Sequence, residues 1–425
     1  LIPLIAAKGP DGAAGVLADH LTRAAMTVHG QRPLIGMCLA RAGSGMVFMT
    51  VAATMTTLQG AWGISAAQGG AIISAFNLGY ALSLVWLSSL ADRVGARGVF
   101  LASITASALL AVAFALTARD YLTALVGYCL LGLALGGTYT TGLMLLSELY
   151  PVARRGRVMG AYIASTSLGY TLSLVVCGLA LAVGDYALAF GLTALGPVLG
   201  AAAAWAVLRR PLPAAPAREA AQGMVREVLA NKKAMLLIGG YTLHNWELLG
   251  MWAWSPAFIV ACLAAGGTVE AASRGSLLAG LFHLTGLVAS FTAGHLSDLL
   301  GRAKIMVITA AAGAAVSMAF GWTLLLPFGL VLTLGMAYAF LALSDSPVLS
   351  AALSEAVHPR RLGAAFGLRS LLGFGAGALA PLAFGAILDA VGQGVTGWGL
   401  AFGMLGLGGL GAMTCALSYN KASKG

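Results

Sequence analysis

Six ionisable side chains stand inside long apolar runs of the chain: Arg41, His244, Glu247, His283, Asp345 and Arg369. A charge at the centre of a bilayer costs roughly 2.5–3.5 kcal/mol on insertion scales, so the four charged ones would together cost on the order of 10 kcal/mol if they faced lipid. They must face a cavity or one another. Glu247 lies well inside its run, roughly 18 Å deep at 1.5 Å of rise per residue and near mid-membrane. His244 precedes it by three residues, which suggests one shared helical face extended by Tyr241 and Met251. A carboxylate beside an imidazole in a partly dry cavity can load and release a proton, because burial penalises its charged form. The alternative is a structural hydrogen-bonding role near a helix irregularity at Pro256. Arg41, Asp345 and Arg369 each sit roughly 10–12 Å from one end of their runs. The matching depth of Asp345 and Arg369 on consecutive runs suits a buried ion pair. Arg41 suits bidentate recognition of an anionic carboxylate, or neutralises Glu247 or Asp345. His283 reads as a cavity-lining or packed histidine, and Trp246, Trp252 and Trp254 as an aromatic wall or as interface tryptophans.

The elements that must position these residues are membrane helices. The chain of 425 residues is 59% apolar and 9% charged, against about 25% charged residues in soluble domains. Apolar runs long enough to cross a bilayer fall near 34–58, 69–90, 99–118, 121–147, 158–182, 187–208, 235–263, 277–295, 305–326, 328–353, 362–388 and 397–418. The fold class is thus all-α and integral to the membrane, with twelve helices. The expected organisation is an N-terminal segment (1–33), a first six-helix bundle (34–208), a linker (209–234), a second bundle (235–418) and a tail (419–425). Pro211, Pro213 and Pro216 open the linker and prevent the preceding helix from continuing.

With the N-terminus inside, twenty of the 24 Lys and Arg residues fall on the cytoplasmic side, while Arg119 and Arg274 fall outside. This positive-inside bias puts both termini in the cytoplasm. It also accounts for the net charge of +10 without a nucleic-acid partner. Cys38, Cys129, Cys177, Cys262 and Cys415 all lie in apolar runs without metal-ligand spacing, so no resident metal or disulfide is expected. The first apolar run, Leu1 to Ala7, is too short for the core of a cleaved leader.

Two loops recur half a chain apart. Leu90-Ala91-Asp92-Arg93-Val94-Gly95-Ala96-Arg97 returns as Leu296-Ser297-Asp298-Leu299-Leu300-Gly301-Arg302, with Asp92 and Asp298 separated by 206 residues. Ser147-Glu148 followed by Arg154-Arg155 returns as Ser354-Glu355 followed by Arg360-Arg361, and Glu148 and Glu355 are 207 apart. Two landmarks at nearly one offset mean one unit present twice, and this register maps Asp345 onto Thr138. Gly95 and Gly301 permit tight turns at positive φ. An Asp at a helix boundary can accept backbone N–H groups of a neighbouring helix N-terminus. The acidic-then-basic loops read as gate ion pairs or as solvated loop charge.

Span number, linker position and both loop pairs resemble the major facilitator superfamily across essentially the whole chain. The resemblance rests on the motif Gly-x-Leu-Ala-Asp-Arg-x-Gly-Arg-Arg between helices 2 and 3. Leu90, Ala91, Asp92, Arg93, Gly95 and Arg97 match it; Ser88 and Ala96 depart from it, and the second copy has Leu299 in place of the Arg. The resemblance implies two pseudo-symmetric bundles around a central cavity lined by helices 1, 4, 7 and 10. Arg41, Thr138, Tyr139, Glu247 and Asp345 would then point inward, joined by Asn77 and Tyr80 of helix 2 and by Ser165, Ser167 and Tyr170 of helix 5. It further implies that the Asp92 loop latches one conformation. The nitrate branch's arginines in helices 2 and 8 and the drug exporters' Gly-Pro motif in helix 5 are absent.

The expectation is a monomeric inner-membrane secondary transporter in contact with lipid, with no cofactor and no enzymatic activity. It would carry a small polar or anionic organic solute by alternating access, coupled to protons. Arg41, His244, Glu247, Asp345, His283, Thr138, Tyr139, Asn77 and Tyr241 would form the site. Asp92, Arg93, Gly95, Arg97, Glu148, Arg155, Asp298, Gly301, Arg302, Glu355, Arg361 and Arg369 would serve gating or structure. Two alternatives stay open: a metal or cationic cargo ligated by His244, Glu247, His283 and Asp345, and a non-transporting sensor or assembly factor on the same scaffold.

Overall fold

Twelve helices long and apolar enough to span a bilayer appear where the apolar runs lie. A computed structural model describes residues 31–209 and 224–424. The expected N-terminal segment, apart from residues 31–33, and the middle of the linker, 210–223, lie outside the described residues. The spans are α1 (Arg32–Trp62), α2 (Ala66–Val94), α3 (Ala96–Thr117), α4 (Tyr121–Leu149), α5 (Arg157–Val183), α6 (Tyr186–Val207), α7 (Lys232–Ala265), α8 (Ala271–Leu300), α9 (Arg302–Thr323), α10 (Phe328–Ala356), α11 (Leu362–Val391) and α12 (Val395–Ser423). A short linker helix, Met224–Ala230, precedes α7. Six spans in each half put the linker and both ends of the described chain on one face, here the linker face; the opposite side is the far face.

Outward-facing leucines such as Leu109, Leu199 and Leu407 are more than half exposed, as a protein solvated by acyl chains requires. Two spans are interrupted. In α1 the helix ends at Gly45 and resumes at Thr50; the Tyr128 hydroxyl donates to the freed carbonyls of Val47 (2.7 Å) and Phe48 (2.9 Å). In α11 the break falls between Gly377 and Ala380, ahead of Pro381, whose carbonyl accepts from the Trp254 indole at 2.9 Å. Non-helical backbone at membrane depth survives because protein groups take up its hydrogen bonds. Pro256 lies inside a continuous α7, and the register maps it onto Thr50, where α1 restarts.

The buried apolar cores show how the halves meet. The largest joins both halves, from Met49, Phe76 and Tyr170 to Trp254, Phe258 and Phe402. Two smaller cores are confined to one half each: one around Met37, Phe100 and Tyr162, the other around Ile238, Val348 and Leu353. The shared core occupies the far part of the helices and the separate cores the linker part. The halves are therefore joined at the far face and parted toward the linker face.

Five hydrogen bonds tie the halves at the far side. Asp389 at the end of α11 accepts the backbone N–H groups of Ala66 (2.8 Å) and Ala67 (2.9 Å), which open α2. Ser74 accepts from the Leu382 amide at 3.1 Å. Ser273 donates to the Gly178 carbonyl at 2.8 Å and Ser276 to that of Ala53 at 2.6 Å. At the linker face, Arg97 and Arg302 bond within their own halves instead. Arg97 donates to the carbonyls of Leu208 (2.7 Å) and Arg209 (3.1 Å), and Arg302 pairs with Asp298 (2.6 Å) and Glu355 (3.0 Å).

Candidate substrate and coupling site

Two arginines, one from each half, sit where the helices part. Arg41 of α1 is 7% exposed and Arg369 of α11 is 8% exposed. Arg41 Nε donates to Thr166 Oγ1 at 2.7 Å and Nη1 to Thr138 Oγ1 at 3.4 Å. Its guanidinium carbon lies 4.9 Å from the Tyr139 ring centroid and 5.9 Å from that of Tyr162. Arg369 Nη1 donates to Ser350 Oγ at 2.6 Å, while its guanidinium carbon lies 4.1 Å from the Tyr241 centroid and 4.7 Å from that of Phe366. Tyr139 is within electrostatic range of both guanidinium groups and of Tyr241, so the two arginines approach one another across the boundary between the halves.

Neither arginine forms an ion pair with a carboxylate among the described residues. Arg369 Nε is buried and has no hydrogen-bond partner. Aromatic faces and hydroxyls offset part of the desolvation of a guanidinium, but a buried cation without an anion remains costly. Both guanidinium groups are thus buried without a carboxylate partner among the described residues.

The carboxylates lie elsewhere. Asp345 of α10 accepts from Thr309 of α9 in a short hydrogen bond, and its Oδ2 is 3.7 Å from His244 Nδ1. The other nitrogen of His244, Nε2, is 3.1 Å from Ser346 Oγ. The Asp345–Arg369 pair anticipated from depth alone is not formed. Equal depth does not mean facing directions: Asp345 turns toward Thr309 and His244, and Arg369 toward Tyr241 and Ser350.

Glu247 also departs from the inward direction expected of helix 7. Its carboxylate lies against Gly409 of α12, where an added Cβ would stand 2.6 Å from Oε2, and beside the Tyr338 hydroxyl. Tyr338 and Ser317 share a 2.8 Å hydrogen bond, while Oε1 of Glu247 has no partner. Tyr241, His244 and Glu247 therefore fan out toward α11, α10 and the α9–α12 side. The cause is geometric. Three residues advance a helix by about 300°, so each step of three drifts about 60° and the pattern opens rather than stacks.

His283 is buried between the rings of Tyr170 (5.4 Å) and Trp252 (5.5 Å). With Phe48, stacked 4.5 Å from Tyr170, these rings join both halves. Asn77 is buried on α2. Thr138, besides accepting from Arg41, donates to the Leu135 carbonyl at 2.7 Å. His283 is thus separate from the His244–Asp345 contact. Among the described residues no three His, Cys, Asp or Glu side chains converge as a metal site.

At the linker face both recurrent loops turn on a glycine at positive φ, Gly95 at +95° and Gly301 at +93°. Asp92, Arg93 and Glu148 are exposed there, and Arg155 donates to the Tyr150 carbonyl at 3.1 Å. The expected pairing of Glu355 with Arg360 or Arg361 is replaced. Arg302, projecting from the Gly301 turn, takes Glu355, and Arg361 instead meets Glu227 of the linker helix at short range.

Sequence reasoning did not single out Thr166, Tyr162, Ser350 or Asp389. Tyr162 carried a signal: the repeat offset of 207 makes it the counterpart of Arg369. Thr166 follows Tyr162 by four residues and shares its helical face. Asp389 carried none, because nothing local indicates that it caps a helix of the other half.

Residues 37–272 match the family model of the Major Facilitator Superfamily. A curated relative, the hexuronate transporter of Bacillus subtilis (strain 168), is 24% identical over 353 residues, covering 77% of this chain and 81% of that protein. The niacin transporter NiaP of Acinetobacter baylyi (strain ATCC 33305 / BD413 / ADP1) is 33% identical over 127 residues, 30% of this chain and 28% of that one. Among solved structures, the nucleoside transporter NupG aligns with a TM-score of 0.71 at 15% identity, covering 92% of this chain and 98% of its own. A bacterial homologue of the human lysosomal transporter Spinster, in an inward-facing and unoccupied conformation, aligns at 0.72 and 15% identity, over 92% and 96%.

Proposed function

This chain belongs to the Major Facilitator Superfamily and moves a small solute across a membrane; on that premise we propose that its cargo is a small organic anion, bound by its carboxylate between Arg41 and Arg369 and transported with protons. The observation that carries this reading is the pair of buried guanidinium groups, one per half, each lacking a carboxylate partner among the described residues. A carboxylate placed between them would engage the planar donor forks of both arginines and so bind both halves at once. Rocking of the halves then presents the same two cations to either side. Relatives named for a hexuronate and for niacin, both of which carry a carboxylate, support an organic acid as the cargo class.

The form described here is closed at the far face and parted at the linker face. The positive-inside bias assigns the linker face to the cytoplasm of a cell's inner membrane, so this form faces inward. Proton coupling is assigned to the carboxylates of the second half, Asp345 and Glu247, which have no arginine or lysine ion-pair partner among the described residues.

The test is flux into proteoliposomes. Purified protein should accumulate radiolabelled glucuronate or nicotinate under an imposed pH gradient, and a protonophore should abolish the accumulation. Arg41→Ala with unchanged apparent affinity for either anion would contradict the anion site. Binding without flux would favour the sensor reading, and transport of divalent metal in place of the acids would favour metal cargo.

A further inference from the structure

Asp345 has a second exposure that the central cavity does not provide. It lines a narrow cleft inside the second half, walled by Leu237 and Gly240 of α7, Ala310 of α9, Leu349 of α10 and Cys415 of α12. Leu237, Gly240, Leu349 and Cys415 lie between the level of Asp345 and the linker face, as does Met306 of α9, which also lines the cleft; Ala310 adjoins Thr309 at the level of Asp345. The cleft therefore runs along the inside of one bundle, while the cavity of Arg41 and Arg369 runs between the two. It has room for about one water, enough for a proton relay and too little for an organic solute.

We propose that protons reach Asp345 from the linker face through this intrabundle cleft, separate from the solute's route, and that His244 joins Asp345 to the solute site. This deepens the proton-coupled reading above and rests on it. A proton from hydronium in linker-face water adds to a carboxylate oxygen of Asp345 and leaves water behind; release is the reverse. An O–H bond is the bond that forms or breaks.

The link to the cavity runs through ring contacts and short distances. His244 Nδ1 is 3.7 Å from Asp345 Oδ2, its ring centroid is 6.1 Å from that of Tyr241, and Tyr241 carries Arg369 over its face at 4.1 Å. Arg369 and His244 are within electrostatic range of one another. A proton arriving at Asp345 therefore changes the field at the cation that holds the solute.

Other titratable groups near Asp345 are His244 and Glu247 on α7 and Cys415 of α12, which lines the same cleft. Helix α9 offers it the Thr309 hydroxyl. His283 of α8 stands apart between Tyr170 and Trp252. The unpartnered Oε1 of Glu247 is a second acceptor deeper in the same bundle.

The experiment uses full-length protein in lipid. Infrared spectroscopy follows the C=O band of protonated Asp345, identified by its loss in Asp345→Asn, and its shift on transfer to D2O. Ala310→Trp fills the cleft and should slow that shift at least tenfold, whereas Thr166→Trp, which crowds the central cavity, should leave it within twofold of the parent. A second arm avoids any folding defect. With Cys38, Cys129, Cys177 and Cys262 replaced by Ser, the folded protein is treated with methyl methanethiosulfonate at Cys415. Labelling should slow the shift similarly, lower pH-driven glucuronate or nicotinate accumulation at least tenfold, and leave counterflow of the same acid within twofold.

Unchanged exchange in both the Ala310→Trp and the Cys415-labelled protein overturns the proposal, as does slowing by Thr166→Trp instead. A carboxylate band that responds to NaCl and not to pH overturns the proton assignment in favour of sodium. If neither acid is transported, the anion reading fails while the infrared arms still decide the cleft.

Discussion

The guanidinium of Arg369 lies 4.1 Å from the centroid of the Tyr241 ring. An arginine neutralised by a carboxylate is part of the scaffold. Arg369 is held instead by an aromatic face and a serine, with Nε unpartnered, and on the anion reading proposed above its charge would meet the solute. Arg41 over Tyr139 repeats the arrangement in the other half, with other residues from other repeat positions.

Removing either cation should weaken solute binding. A hydrogen bond to a charged group contributes about 1.5–3 kcal/mol, equivalent to roughly ten- to hundredfold in affinity. Arg41→Ala and Arg369→Ala are each expected to raise the KM for glucuronate or nicotinate by that factor. The corresponding lysine variants should recover part of the loss, since they keep the charge and lose the planar fork. Initial-rate uptake over a concentration series reads the outcome.

Neutralising the second-half carboxylates should separate exchange from accumulation. Asp345→Asn and Glu247→Gln are expected to abolish accumulation driven by a pH gradient while sustaining counterflow. Intact proton-driven accumulation in Glu247→Gln would remove Glu247 from the coupling role and leave it as a hydrogen-bonding group beside Tyr338.

Asp389 should set the balance between conformations. Its two bonds to the start of α2 place a negative charge at a helix N-terminus, where the dipole favours it. Asp389→Ala should destabilise the far-face closure by about 2 kcal/mol. Spin labels at Val183 and Val269, both highly exposed near the far face on opposite halves, should report longer distances in the variant. An unchanged distance distribution would show that the apolar core alone holds the closure.

The turn glycines should be intolerant of side chains. Gly301 sits at φ +93°, where an L-residue is strained by about 1–3 kcal/mol. Gly301→Ala is expected to lower the thermal midpoint in detergent, whereas Gly294→Ala, on a helix with no atom within 4 Å of the added Cβ, should leave it nearly unchanged. Thermal unfolding followed by tryptophan fluorescence compares the two.

The twelve spans and the two glycine turns were legible in the sequence because each is a local property. A run of apolar residues of sufficient length crosses a bilayer wherever it occurs, and a glycine supplies a positive φ without reference to its neighbours. Repeat spacing also located the Asp298 and Glu355 loops. It paired Glu355 with the wrong arginine, because Arg302 and Arg361 are equally plausible in sequence and differ in reach.

The sequence by itself determined which residues had to avoid lipid: the six ionisable groups in apolar runs were identified by the cost of burying charge. It could not determine which of them meet. A helix advancing about 100° per residue turns small differences in spacing into different directions. Tyr241, His244 and Glu247 consequently fan apart, and Asp345 and Arg369 diverge at one depth. Only the tertiary structure decided that Arg41 and Arg369 are held by hydroxyls and rings of their own halves, that the carboxylates lie inside the second half, and that His244 meets Asp345.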